Sequence, residues 1–172
     1  MKKVYLSLGS NLGNREQNLQ EAVNRIHAAG ATVLRASSTY ETAPMYLTAQ
    51  PMFLNLVLEA ETDVLPRMLL KRLQRIEKEL GRRRTVANSP RPIDIDILFY
   101  SRFVITAAEL VVPHPGIAER RFVLEPLAEL APDLRHPVSR RTVREMLAAT
   151  SAEGVRKVRF AVSLPENRTG AK

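Results

Sequence analysis

A chain of 172 residues with 45% hydrophobic and 26% charged side chains fits one folded domain with a buried core. It has no cysteine, which excludes a disulfide framework, a thiolate metal site and a cysteine nucleophile and suits a reducing cytoplasm. No stretch approaches the ~20 apolar residues of a membrane span. The formal charge of +8 points to an anionic partner: nucleic acid, a nucleotide phosphate or an acidic protein would each fit, as would plain solubility.

In chain order, Lys3 to Leu8 alternates as a first strand, its apolar run too short for a signal-peptide core. It ends in the turn-forming cluster Gly9-Ser10-Asn11-Leu12-Gly13-Asn14, whose glycine spacing matches neither a Walker loop nor a dinucleotide fingerprint. Asn14, backed by Gln17, caps a helix to Ala28 with Leu19, Ala22, Val23 and Ile26 as its apolar stripe and Gly30 as its stop. Ala31 to Tyr40 reads as a second strand, Glu41 to Pro51 as a loop long enough to shape a pocket, and Met52 to Thr62 as a third strand. Asn55 is the polar member of that strand's apolar half. It is either bonded to nearby backbone or placed to read a heterocycle through a donor and an acceptor together.

Asp63 is the expected cap of a second helix running to Leu80, with Leu65, Leu69, Leu73, Ile76 and Leu80 on its core face and Gly81 ending it. Arg82, Arg83 and Arg84 follow in a loop. Ile93 to Tyr100 is a strand, in which Asp94 and Asp96 share one face roughly 6.6 Å apart while Ile93, Ile95 and Ile97 take the other. Two like charges so placed repel, and a cation belongs over them. Hard divalent cations prefer carboxylate oxygens, and magnesium takes one or two of them while keeping substrate phosphates as further ligands. Arg91, between Pro90 and Pro92, offers a fork of donors to the same phosphates, and the three loop arginines read as a phosphate clamp. The bland alternative is an exposed edge strand guarded by its charges.

After Tyr100 the chain is plainer. A short strand at Phe103 to Ile105, a loop holding His114 between two prolines, and a short helix at Ile117 to Arg121 are expected. Thr142 and Glu145 form a capping box for a helix to Ala149, Val158, Phe160 and Val162 alternate as a last strand, and residues 165–172 read as a tail to a single domain over 1–164. Strand-helix-strand occurring twice predicts an α+β fold: a ferredoxin-like βαββαβ core, its sheet mainly antiparallel, with further strands and helices appended at the C-terminal side.

These motifs together resemble the 6-hydroxymethyl-7,8-dihydropterin pyrophosphokinase family of folate biosynthesis. The segments that carry the resemblance are 7–13, Tyr40-Glu41-Thr42-Ala43-Pro44, 50–55, Gln74-Arg75-Ile76-Glu77, Gly81-Arg82-Arg83-Arg84, 90–97, Val112-Pro113-His114-Pro115 and Arg120-Arg121-Phe122. The resemblance implies transfer of the pyrophosphoryl group of ATP to the pterin's hydroxymethyl oxygen, with two Mg²⁺ ions on Asp94 and Asp96. It further implies phosphate contacts from Arg82, Arg84 and Arg91, and nucleotide contacts from Gln74, Glu77, His114 and Arg120. The pterin would lie between Phe53 and Phe122, its edge read by Asn55, with Thr42, Pro44 and Asp94 beside it. Small-molecule substrates, a monomer, a cytoplasmic setting and no nucleic-acid or membrane partner complete the expectation. An RNA-binding module is the rival from fold and charge, but 5% aromatic residues and no RNP-type run oppose it. An aspartyl phosphatase would want its Asp pair at a strand's end, and a non-catalytic interaction domain is the third alternative.

Overall fold

The computed structural model describes residues 1–43, 50–83, 89–151 and 154–166. The elements run β1 (Lys2–Ser10), α1 (Arg15–Ala28), β2 (Ala31–Ala36), β3 (Tyr40–Thr42), β4 (Phe53–Thr62), α2 (Pro66–Glu79), β5 (Asp94–Tyr100), β6 (Ile105–Thr106), β7 (Val111–Val112), α3 (Arg121–Leu130), α4 (Val143–Ala148) and β8 (Val155–Lys157). The main sheet has the order β5-β1-β4-β3-β8, with β2 also on β4. β1 lies antiparallel between β4 and β5. This is the predicted α+β arrangement, an open antiparallel sheet with helices packed on it, but three strands (β2, β3 and β4), not the expected two, separate α1 from α2.

Alternation along the two central strands divides the residues between the sheet's faces. Leu6, Leu8, Leu56, Leu58, Ile95 and Ile97 join Leu19, Val23 and Ile26 of α1 and Leu69, Leu73 and Ile76 of α2 in one core. Each fully buried leucine or isoleucine there contributes roughly 1.5–3 kcal/mol. The other face carries Tyr5, Val57 and Phe99 under Val123, Leu124 and Leu127 of α3 and Val143 and Met146 of α4. The helices α3 and α4 cover only the part of this face near Tyr5. The part near Gly9 is left to polar residues, and that is where the site lies.

Several boundaries differ from the sequence reading. The expected strand from Ala31 to Tyr40 breaks at Ser37. The Ser37 hydroxyl accepts from the Val57 N–H at 2.9 Å and donates to the Ser38 carbonyl at 2.8 Å, taking the place of ladder bonds. Asp63 does not cap α2: Leu65 is the N-cap residue and Pro66 occupies the first helical position, where a missing N–H costs nothing. Leu65, expected on the core face, is 73% exposed. The expected strand at Phe103 to Ile105 is instead the two-residue pairing of β6 with β7.

The short helix at Ile117 to Arg121 is a 3₁₀ turn (Ile117–Glu119), followed by a ten-residue helix. The sequence reading missed that helix. Pro126 inside it removes one ladder bond, a cost outweighed by burial of Val123, Leu124 and Leu127. Thr142 accepts from the Glu145 N–H at 3.1 Å, as its capping box requires. The last strand is Val155–Lys157 on β3. Val158, Phe160 and Val162 pack on the core without continuing it as a strand.

Candidate active site

The open part of the sheet is built as rows. Antiparallel pairing puts Asp94, Gly9 and Asn55 side by side across β5, β1 and β4, and Asp96, Ser7 and Val57 in the next row. Partners in a register pair share a face, so the carboxylate pair and the buried amide look into the same space. Gly9 is required between them: a Cβ there would stand 2.6 Å from the Asn55 Oδ1. The Asn55 amide is oriented from its other end, Nδ2 donating to the Thr42 hydroxyl at 2.6 Å. Thr42 thus acts on Asn55 through its side chain. Phe53, half-buried at the start of β4, pairs with Thr42 and lies at the mouth of this row.

Charge is concentrated on β5. Asp94 accepts from Arg82 at 2.8 Å on one oxygen and from Arg91 at 3.3 Å on the other. Arg82 also bonds Glu77, which is buried on α2 and accepts from the Ile95 N–H at 3.2 Å. Asp96 is pushed up to about 6, first by burial and then by the neighbouring charge of Asp94, against the pull of Arg120, Arg82 and Arg91. Burial first, and then the Asp94 charge against the pull of Arg82, pushes Glu77 up to about 7. A carboxyl raised on folding binds more protons in the folded state. Its stabilising contribution is therefore complete at low pH and lost as pH rises from the usual carboxylate range through about 7. Glu77→Gln removes that dependence. Between pH 5 and pH 8 without added ligands, its thermal midpoint should gain on wild type as pH rises; a constant difference would sink the assignment.

Arg91 stands between the two halves of the site. Its guanidinium lies 5.0 Å from the centre of the Phe53 ring while reaching Asp94, and its Nε is buried without a partner among the described residues. Its backbone is gripped by Asn11, a residue that the sequence reading placed in a turn but gave no role. The signal available was an Asn in a short polar interval between a strand and its helix.

His114 is held from two sides, its backbone N–H donating to the Leu98 carbonyl of β5 at 3.0 Å and its ring Nδ1 accepting from the Gly116 N–H of its own turn at 3.2 Å. That bond leaves the proton on Nε2. Burial and then Arg120 push the imidazole down to about 4, so it is neutral at pH 7. The Arg120 guanidinium lies 5.9 Å from the Phe122 ring centre at the start of α3.

A cleft of about 1000 Å³ runs from the Asp pair along α2, lined among others by Gln74, Glu77, Arg82, Asp94 and Asp96. The structure thus brings Gln74, Glu77, Arg82, Asp94 and Asp96 together in the cleft, links them through Arg91 to Phe53, and sets Asn55, bonded to Thr42, in the same row as Asp94. Arg120, beside Phe122, acts on the charges of Asp96 and His114, and His114 itself lines a separate cavity. Pro44 and Arg84 lie outside the described residues. Among the described residues no cluster of three or more His, Cys, Asp or Glu is suited to hold a metal. Two carboxylates on one strand face, one already holding two guanidinium groups, fit a hard cation that takes its remaining ligands from water and phosphate. No helix of the described residues is long and apolar enough to cross a membrane.

The family model of 7,8-dihydro-6-hydroxymethylpterin-pyrophosphokinase (HPPK) matches residues 5–132. The 2-amino-4-hydroxy-6-hydroxymethyldihydropteridine pyrophosphokinase of Bacillus subtilis is 44% identical over 154 residues, 89% of this chain and 88% of that protein. The folic acid synthesis protein fol1 of Pneumocystis carinii is 48% identical over 136 residues, 79% of this chain. The chain spans only 18% of that fungal protein, and 25% of the mitochondrial folate synthesis bifunctional protein of Pisum sativum. The crystal structure of Plasmodium falciparum HPPK-DHPS wild type with pteroate shares the fold at a TM-score of 0.70 and 17% identity, over 86% of this chain and 42% of that one. With more than two thirds of its length under the family model, this chain belongs to the 7,8-dihydro-6-hydroxymethylpterin-pyrophosphokinase family.

Proposed function

We propose that this protein transfers the pyrophosphoryl group of ATP to the hydroxymethyl oxygen of 6-hydroxymethyl-7,8-dihydropterin, a step of folate synthesis. The observation that carries the reading is the shared row of Asp94, Gly9 and Asn55. Asp94 on β5 and Asn55 on β4 flank Gly9 of β1 on one open sheet face, which supports phosphate-and-metal chemistry one strand away from an amide that reads a heterocycle. The hydroxyl oxygen forms a bond to the β-phosphorus, the bond from that phosphorus to the oxygen bridging to the α-phosphate breaks, and AMP leaves. The hydroxyl proton goes to solvent.

Each side chain then has a task. Phe53 and Phe122 offer aromatic faces to the planar pterin, and Asn55 offers donor and acceptor to its edge. Arg91 and Arg82 turn their donors from Asp94 to the phosphate oxygens, with Arg84 joining them, where preorganised positive charge favours the transition state. Gln74 and Glu77 face the nucleotide from α2, and the Nε2–H of His114 and the guanidinium of Arg120 donate to its phosphates or sugar. Asp94 and Asp96 would hold two Mg²⁺ ions, which when bound neutralise phosphate charge and fix the attacking and leaving oxygens. The protein would work as a monomer, as a single unit over 1–164. The lack of cysteine suits the cytoplasm.

The test is AMP release from ATP and Mg²⁺ with and without the pterin. Pterin-dependent AMP is expected. A folded protein that binds ATP yet makes no AMP would overturn the reading in favour of a binding module.

A further inference from the structure

Two chain segments, Gln50–Pro51 ahead of β4 and Arg91 ahead of β5, rest on one side chain. The Asn11 amide is 1% exposed. Its Oδ1 accepts from the Arg91 N–H at 2.9 Å, and its own backbone N–H donates to the Arg91 carbonyl at 3.2 Å. Its Nδ2 donates to the Gln50 Oε1 at 3.0 Å and to the Pro51 carbonyl at 3.2 Å. Asn in a turn ordinarily bonds its own backbone two residues on. Here the side-chain partners lie 39, 40 and 80 positions away. The local work of the turn is done by others: Asn14 caps α1, and Asn18 donates to the Leu12 carbonyl at 2.9 Å and the Ser10 hydroxyl at 3.3 Å.

The two ends of the amide therefore serve different halves of the site. The oxygen fixes the backbone of Arg91, whose guanidinium holds Asp94. The nitrogen fixes Gln50 and Pro51, two residues ahead of Phe53 and four ahead of Asn55. We propose that Asn11 is a positioning residue that couples the two substrate sites, passing displacement of the phosphate-side loop to the pterin-side loop and back. This rests on the pyrophosphoryl-transfer reading given above. Asn11 itself touches the backbone of one loop and the approach to the other, so it acts through Arg91 and β4.

Two substitutions separate the ends of the amide. Asn11→Asp keeps the acceptor for the Arg91 N–H and loses the donor. Gln50 can turn its amide over to meet a carboxylate, but the Pro51 carbonyl cannot. Asn11→Ala loses both ends. Steady-state kinetics should show the pterin KM raised about tenfold in Asn11→Asp, the factor that about 1.4 kcal/mol makes, with the ATP KM within about twofold of wild type. Asn11→Ala should raise both KM values and lower kcat. By calorimetry, a non-hydrolysable ATP analogue should tighten pterin binding to wild type and lose that effect in both variants.

A wild-type pterin KM in Asn11→Asp, equal losses on both substrates in the two variants, or no effect of the analogue on wild type would each overturn the proposal. If a variant fails to fold, Gln50→Ala repeats the test on the pterin side alone, with the same split between the two KM values expected. Wild-type AMP release, measured first, tells failure of the parent reading from failure of the coupling.

Discussion

Asp96→Asn is expected to lower kcat for pterin-dependent AMP formation by at least about 10³-fold, or about 4 kcal/mol of transition-state stabilisation. Asp96 lies beside Asp94 on one face of β5, and three guanidinium groups, of Arg120, Arg82 and Arg91, act on its charge. That charge is what a hard cation and the flanking arginines are arranged around. An amide keeps the shape but offers one neutral oxygen, so it removes ligand charge without opening a cavity. The fold should survive: Asn is isosteric with Asp, and relief from the repulsion of Asp94 offsets any lost attraction. Circular dichroism and the thermal midpoint should therefore match wild type while AMP release disappears. If Asp96→Asn retains activity within tenfold, the carboxylate pair is not the reaction's metal site.

Gly9→Ala is expected to raise the pterin KM by about 10²-fold while leaving ATP affinity near wild type, a loss of about 3 kcal/mol on one substrate. The added methyl would sit 2.6 Å from the Asn55 Oδ1 and 3.4 Å from the Phe53 ring, so something must shift. The Asn55 side chain is pinned at its other end by the 2.6 Å bond to Thr42, which leaves it little room to yield without losing that bond. A double-mutant cycle isolates the cause. Asn55→Ala removes the atom that the new methyl strikes, so Gly9→Ala should cost little more on top of Asn55→Ala. Full additivity, or a Gly9→Ala protein that binds pterin normally, would show that the clash is not what matters.

These two substitutions also show how differently the two halves of the site are written in the chain. Asp94 and Asp96 were legible because a strand's period of two puts them on one face whatever surrounds them. The arginines at 82 and 91 were suggestive because a permanent cation near two carboxylates needs no fold to be attractive. The cap at Asn14, the stripe of α1, the positive φ of Gly30 and Gly81 and the capping box at Thr142 are likewise local. A hydrogen bond or a backbone angle within a few residues decides each of them.

What the chain did not show was decided by packing. Leu65 fits the apolar period of α2, but Pro66 starts the helix after it, and its side chain is left in solvent. The α3 helix is hidden by Pro126, whose lost backbone bond is tolerated because Val123, Leu124 and Leu127 are buried on the sheet. Gly9 reads as a turn residue until β4 is laid beside β1 and the Asn55 amide fills the space its missing Cβ leaves. Asn11 reads the same way until Arg91, 80 positions on, folds back over it. Periodicity and capping act over one or two turns of chain, so the sequence by itself determined α1, the body of α2, the three strands β1, β4 and β5 and the carboxylate pair. Register and loop closure join residues tens of positions apart, so only the tertiary structure decided which amide faces those carboxylates and which side chain holds both loops.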